Sequence, residues 1–464
     1  MLRLVLAAVL LLVPSAPHDS FVTRSGSHLE VAGRPFRFGG ANVEWLGLVG
    51  YGPFDPSGPR YPSHFEIDDA LATAQEMGAR VVRAQTLGDS VGCSLCIEPA
   101  LGQFNAAAFE PIDYALASAR RRGLKLIPTI VGDDARAGGS GCVYLRWRGI
   151  DTPGCSLVNM APFWTDAAVR GDVEQHIDAL LNHVNRYTRV AYKNDPTIFG
   201  WDLLNGGGSP RDWTRAVVAH LRSVDRRHLV LSRASNAVIP GVDVCVAFVY
   251  PHWRQPWSSL RDELNACKSA RRPFVAYEYG WDRTNYRTAS AFRDFLATLA
   301  KDPLVAGDAF WALQAHQDGH GWMPIPANTS DRAAAARVET GQWWALYYTG
   351  LRTLVNTAAD MAARAQLIRA HNYALWGRRV PRHALPPRPT ITSARGRLYW
   401  QGSAGAKDYS IQRAPTVGGP WRTVCAHCVT DRSNGFRTIR GAWYRVIPYN
   451  LDSTPGPPSK PARA

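Results

Sequence analysis

Ile198-Phe-Gly-Trp-Asp-Leu-Leu-Asn-Gly-Gly-Gly208 is an apolar run broken by one acid, Asp202, that passes through Asn205 into three glycines. Such a run, apolar on both alternating faces and closed by polar and glycine residues, reads as a fully buried strand that stops at a loop. Seven similar runs occupy 36–42, 80–84, 125–131, 228–232, 242–250, 273–278 and 305–311. Helical segments separate them: 67–77, 111–122 and a long one over 165–187. In the last, Val169, Val173, Ile177, Leu180, Leu181 and Val184 recur at three- and four-residue spacing on one face. Eight buried strands alternating with helices predict an α/β fold, a (β/α)8 TIM barrel over 21–376.

Outside the barrel the composition changes. Residues 377–389, Gly-Arg-Arg-Val-Pro-Arg-His-Ala-Leu-Pro-Pro-Arg-Pro, read as a linker, since proline blocks both helix and ladder. Short alternating runs such as Arg397-Leu-Tyr-Trp400 and Trp443-Tyr-Arg-Val446 predict a small all-β sandwich over 390–464. At the other end, Arg3 precedes an apolar run from Leu4 to Val13 and then Pro14-Ser15-Ala16. That run is too short to span a bilayer, so 1–16 reads as a signal peptide and the chain is expected to be secreted or periplasmic, with no membrane attachment after cleavage.

Bulk properties agree with a folded, exported protein. The chain has 464 residues, 46% hydrophobic, with 16 Trp and 17 Tyr, which excludes disorder for most of its length. Eight cysteines fall into four close pairs, Cys93 with Cys96, Cys142 with Cys155, Cys245 with Cys267 and Cys425 with Cys428. Pairing by proximity is one of many connectivities. Zinc at the two C-x-x-C pairs is disfavoured by their separation and by the oxidising compartment. The formal charge is +15, and from Leu385 onward twelve Lys or Arg stand against three Asp. No nucleic-acid reader motif accompanies this charge, so a solvated Arg-rich surface leaning on acidic cell-wall polymers is expected, with no nucleic-acid partner.

Chemistry in a barrel belongs at the C-terminal ends of its strands, here Asn42, Glu44, Arg83, Asp133, Asp134, Asn205, Tyr250, Glu278 and Trp311. The segment from Tyr187 to Asn205 resembles glycoside hydrolase family 5, and within it the endo-β-1,4-mannanases. Further matches are Val81-Val-Arg83, Tyr250-Pro251, Tyr277-Glu278-Tyr279-Gly280 and Gly307-Asp-Ala-Phe-Trp311. The tail, with Trp400, Tyr409, Trp421 and 444–450, resembles a fibronectin type III module, expected to serve as a spacer.

The resemblance implies retaining hydrolysis of β-1,4-mannan or a related β-glycan by two carboxylates about 5 to 5.5 Å apart. It implies Glu278 as nucleophile, Arg83 as the cation orienting it, Asn205 as the donor to the sugar 2-hydroxyl, Tyr250 as a partner of the nucleophile and Trp311 as the floor under the reacting sugar. No metal or cofactor is implied, and a monomer is expected. Two departures stand out. The acid/base glutamate that should follow Asn205 is Gly206, and the usual His two residues before Tyr250 is Phe248. Asp133, Asp134 and Asp318 are the candidates for a substitute acid, and Trp45, Trp147, Trp164, Trp253, Trp257, Trp281 and Trp322 for outlying sugar platforms. The two readings left are a hydrolase of reduced activity and a non-catalytic β-glycan-binding pseudoenzyme.

Overall fold

The computed structural model describes residues 20–50, 58–132, 141–150, 155, 160–206, 208–249, 257–280, 289–319, 321–322, 346–350, 356–431 and 435–464. The expected signal segment 1–16 lies outside them.

Three short strands, β1 (Val22–Ser25), β2 (His28–Val31) and β3 (Arg34–Pro35), form an antiparallel sheet ahead of the barrel. Eight parallel strands then close on themselves: β4 (Phe38–Asn42), β5 (Val81–Ala84), β6 (Lys125–Gly132), β7 (Gly200–Asn205), β8 (Leu229–Arg233), β9 (Val244–Val249), β10 (Phe274–Tyr279) and β11 (Val305–Phe310). Each expected strand run is therefore a barrel stave. Val22, Leu29, Val31 and Phe36 of the N-terminal segment share one apolar cluster with Phe38, Val81, Ile127, Leu231, Val246 and Val275. The small sheet thus covers apolar surface at one end of the lumen, which the sequence reading did not foresee.

Helices pack outside. Helix α1 (His64–Glu76) begins with a capping box between Ser63 and Glu66, and α2 (Phe109–Arg122) pairs with it. Helix α3 (Gly141–Trp147) and helix α4 (Ala161–Thr165) precede α5 (Ala167–Asn182), which is capped by Asp166. Helix α5 is shorter than expected. It stops at His183, and Asn185 accepts the amides of Tyr187 and Thr188 (2.8 and 3.0 Å), a local turn that competes with helix. Val184, read as part of the buried face, is therefore 50% exposed. Helices α6 (Arg211–Val224), α7 (Trp257–Ser269), α8 (Ala289–Lys301) and α9 (Ala358–Leu375) complete the described shell.

After α9 the chain runs without regular structure to a three-stranded sheet, β12 (Ile391–Ala394), β13 (Arg397–Trp400) and β16 (Phe436–Arg437). A four-stranded sheet follows, in the order β15 (Arg422–Val429), β14 (Asp408–Ala414), β17 (Trp443–Tyr449), β18 (Ala462–Arg463). Leu398, Trp400, Tyr409, Ile411, Tyr444 and Val446 fill the space between them. The proline-rich connection is tied down: Arg369 donates to Pro381 O (3.0 Å), His383 pairs with Glu76 (2.9 Å), and Asn450 donates to His383 O (3.0 Å). The eight cysteines pair as Cys93–Cys96, Cys142–Cys155, Cys245–Cys267 and Cys425–Cys428.

Candidate active site

Arg83 organises the C-terminal mouth of the barrel. It lies two residues beyond Val81 on β5, so its side chain points into the lumen like that of Val81, and it is wholly buried. A guanidinium has five N–H donors, and all are used here. Nε and Nη2 donate to Asp202 Oδ2 (3.1 and 2.9 Å), Nη1 to Asn42 Oδ1 (3.2 Å) and to Glu278 Oε1, and Nη2 also to Asn205 Oδ1 (2.8 Å). Its plane lies over the Tyr277 ring at 4.2 Å. Burial alone would lower the Arg83 pKa, but Asp202, Tyr277 and Glu278 raise it beyond its ordinary value, so the cation persists.

Glu278 reaches this cation through an irregularity in its strand. Strict alternation would send Glu278 away from Tyr277, whose ring is in the lumen cluster. Between β10 and β9 the register moves from Ala276 opposite Ala247 to Glu278 opposite Phe248, two residues against one. That bulge turns both Tyr277 and Glu278 inward. Asp202, on β7, also takes the Thr129 hydroxyl (2.8 Å), and burial raises its carboxyl pKa against the pull of Arg83. It is a buried counter-ion, not a group open to substrate.

Asn205 ends β7. With Oδ1 held by Arg83, its amide nitrogen is the atom left to face a ligand. Gly206 follows at φ +106°, in the region that favours glycine. Trp311 directly follows β11, its amide donating to Tyr279 O (2.7 Å), and its side chain is half-buried. Arg83, Asn205 and Glu278 are thus joined by hydrogen bonds, and Trp311 sits beside the end of the Glu278 strand. Tyr250, Asp133 and Asp134 lie outside the described residues.

Where the resemblance expects histidine, Phe248 packs 5.1 Å from the Tyr277 ring, with the Arg233 guanidinium 5.0 Å from its own centre. Arg233 pairs with Glu263 (3.0 Å), whose pKa burial raises against the opposing effect of Arg233. No motif announced either residue. Asn42 was visible as a strand end, yet its role as the fourth partner of Arg83 appears only in three dimensions.

Asp318 is engaged elsewhere, accepting from Ser63 Oγ (2.7 Å) and Gln401 Nε2 (3.4 Å). Several tryptophans also pack on the protein itself: Trp164 against Phe163 and Trp213 (4.9 and 5.1 Å), Trp147 against Tyr144 (5.4 Å) and Trp322 on His316 (3.8 Å), while Trp45 is buried. The structure describes no side chain of Trp253, Trp257 or Trp281. Among the described residues no group of three or more His, Cys, Asp or Glu could hold a metal ion.

Comparison with known proteins points to the same family that the sequence resembles. Residues 19–239 match the GH family 5 beta-mannosidase-like family. Mannan endo-1,4-beta-mannosidase 7 of Arabidopsis thaliana is 27% identical over 364 residues, 66% of this chain and 81% of that protein. Mannan endo-1,4-beta-mannosidase 1 of Solanum lycopersicum is 24% identical over 352 residues, 64% and 85% of the two chains. Among solved structures, the endo-1,4-beta-mannanase of Rhizomucor miehei superposes with a TM-score of 0.58 at 20% identity, covering 77% of this chain and all of that one. The glycoside hydrolase family 5 mannosidase of the same organism gives 0.60 at 18%, covering 78% and 99%. At these identities the solved structures speak for the fold.

Proposed function

We propose that the chain is an exported, β-mannan-directed glycoside hydrolase with a retaining site that keeps its nucleophile, Glu278, and lacks the usual acid/base at position 206. The observation that carries this reading is the saturated Arg83 hub. It fixes the Glu278 carboxylate beside a buried cation and turns the Asn205 amide outward, the pair needed to attack an anomeric carbon and to grip the neighbouring 2-hydroxyl. Trp311, beside the end of that strand, supplies the floor for the reacting ring. The four cysteine pairs support export.

General acid/base catalysis contributes about 10² to 10⁴ in rate, only part of an enzyme's total acceleration. Loss of Gly206's expected carboxylate therefore leaves slow turnover, fastest for substrates whose leaving group needs no proton. The test is release of reducing ends from β-1,4-mannan by the wild type and by Glu278→Ala. A low rate abolished in the variant supports the reading, whereas equal release by both contradicts it.

The second reading, a β-glycan-binding pseudoenzyme, draws on Gly206 at φ +106° and on Phe248 opposite Glu278 in register. Measurable mannan-oligosaccharide binding with no turnover of any glycoside would favour it. In the tail, we propose a fibronectin type III-like module over 390–464, supported by its two antiparallel sheets.

A further inference from the structure

Strand β17 alternates half-buried and buried along its whole length. Tyr444 and Val446 belong to the core between the two C-terminal sheets, so Trp443, Arg445, Ile447 and Tyr449 point the other way, onto the outer face of the four-stranded sheet. At about 3.4 Å per residue this stripe is about 20 Å long. Its members are held in place. The Arg445 guanidinium lies 4.6 Å over the Trp421 ring and its Nε donates to Gln412 Oε1 (2.7 Å), while Tyr449 packs against His427 at 4.0 Å. Arg463 of β18 stands beside Trp443 in register and is exposed.

The tail as a whole carries a positive surplus, with Asp408 opposite Tyr449 in register as the acid nearest the stripe. Of the three Asp that follow Leu385, Asp408 is bonded to His427 (2.6 Å), Asp431 is buried against His316 (3.1 Å), and Asp452 accepts the His383 amide (3.0 Å). Twelve Lys or Arg against these three Asp leave the tail with a net positive charge. The contacts to the barrel run through other positions: Asp431 to His316, Gln401 to Asp318 and Asn450 to the 383–384 backbone. None of these uses a residue of the stripe.

We propose that the outer face of the four-stranded sheet binds an anionic polysaccharide, a chain of uronic acid residues. Flat aromatic rings accept the C–H faces of pyranoses, and a guanidinium pairs with a carboxylate through two parallel hydrogen bonds. A polyuronate presents a ring face and a carboxylate at each repeat, and the stripe offers the Trp443 and Tyr449 rings with Arg445 between them and Arg463 beside Trp443. Nucleic acid shares the negative charge. However, the chain carries no nucleic-acid reader motif, and the Cys425–Cys428 disulfide of β15 on this sheet fits an oxidising, exported compartment. The C-terminal sheets are then a second attachment point and more than a spacer. This inference does not depend on whether the barrel turns over substrate.

The test is affinity electrophoresis and calorimetry of the full chain with polygalacturonate, with neutral galactomannan, duplex DNA and anionic phospholipid vesicles alongside. Polygalacturonate should retard the wild type, and affinity should fall as NaCl rises from about 0.05 M to about 0.5 M. Trp443→Ala and Arg445→Gln should each weaken it about tenfold or more at an unchanged thermal midpoint, a loss of about 1.4 kcal/mol or more. Arg445→Lys keeps the charge and loses the fork, and should also weaken binding. The proposal is overturned by no retardation at low salt, by retardation that all three variants retain, or by DNA or vesicles binding the same face as tightly.

Discussion

The chemistry of the barrel mouth rests on one side chain whose donors are all in use. Lysine at position 83 would keep a charge but lose the fork that joins Asp202, Glu278 and Asn205. We expect Arg83→Lys to destabilise the fold by about 3 kcal/mol, as for other broken buried ion pairs, measurable by denaturant titration. Asn205→Ala should lower kcat and kcat/KM together on an aryl β-mannoside, the signature of a contact made in the transition state. A KM change alone would assign Asn205 to simple binding. Gly206 is the informative absence. At φ +106° a side chain costs about 1–3 kcal/mol of strain, so Gly206→Glu must rearrange the loop before its carboxyl can reach a leaving group. Activity on mannan should rise, but by less than the 10² to 10⁴ of a full acid/base. The identity of position 206 is plain in the sequence, whereas its backbone conformation is not.

At the scale of elements, the eight staves were legible because buried parallel strands are continuous apolar runs, such as Leu126-Ile-Pro-Thr-Ile130 and Phe274-Val-Ala-Tyr277. Strand ends were legible too, which is why Arg83, Asn205 and Glu278 could be named from sequence. What escaped was set by contacts distant in sequence or by local competition. The bulge that turns Glu278 inward depends on how β10 pairs with β9. The small sheet β1–β3 is too short for periodicity to announce. Helix α5 ends early because Asn185 offers its own backbone neighbours a better partner. Val184→Lys should therefore change stability by less than about 0.5 kcal/mol, while Val173→Ala, deep in the same face, should cost about 2 kcal/mol. Comparable losses at both sites would restore the longer helix.

Across the whole molecule, the barrel and the C-terminal sheets meet at a buried charged cluster. His316 lies between Asp69 of α1 (2.9 Å) and Asp431 beyond β15 (3.1 Å), with Trp322 stacked on its ring and the buried Tyr409 hydroxyl bonded to Asp431. Gly402 is required there, since a Cβ would fall 1.9 Å from His316 Cδ2. Burial opposes the imidazolium, but the two aspartates raise its pKa from 6.5 to about 10. A raised folded-state pKa means that this stabilisation is complete below about pH 6.5 and is lost as pH rises through about 10. The thermal midpoint should fall between those values, and His316→Gln should flatten that slope, as calorimetry across pH would show. The central claim concerns the barrel itself: a nucleophile held ready without its proton donor. Its most direct measurement is hydrolysis of a 2,4-dinitrophenyl β-mannoside with and without azide. The account predicts acceleration by azide, a β-mannosyl azide product of retained configuration, and loss of both in Glu278→Ala. No turnover in either condition, or an azide product of inverted configuration, would contradict it.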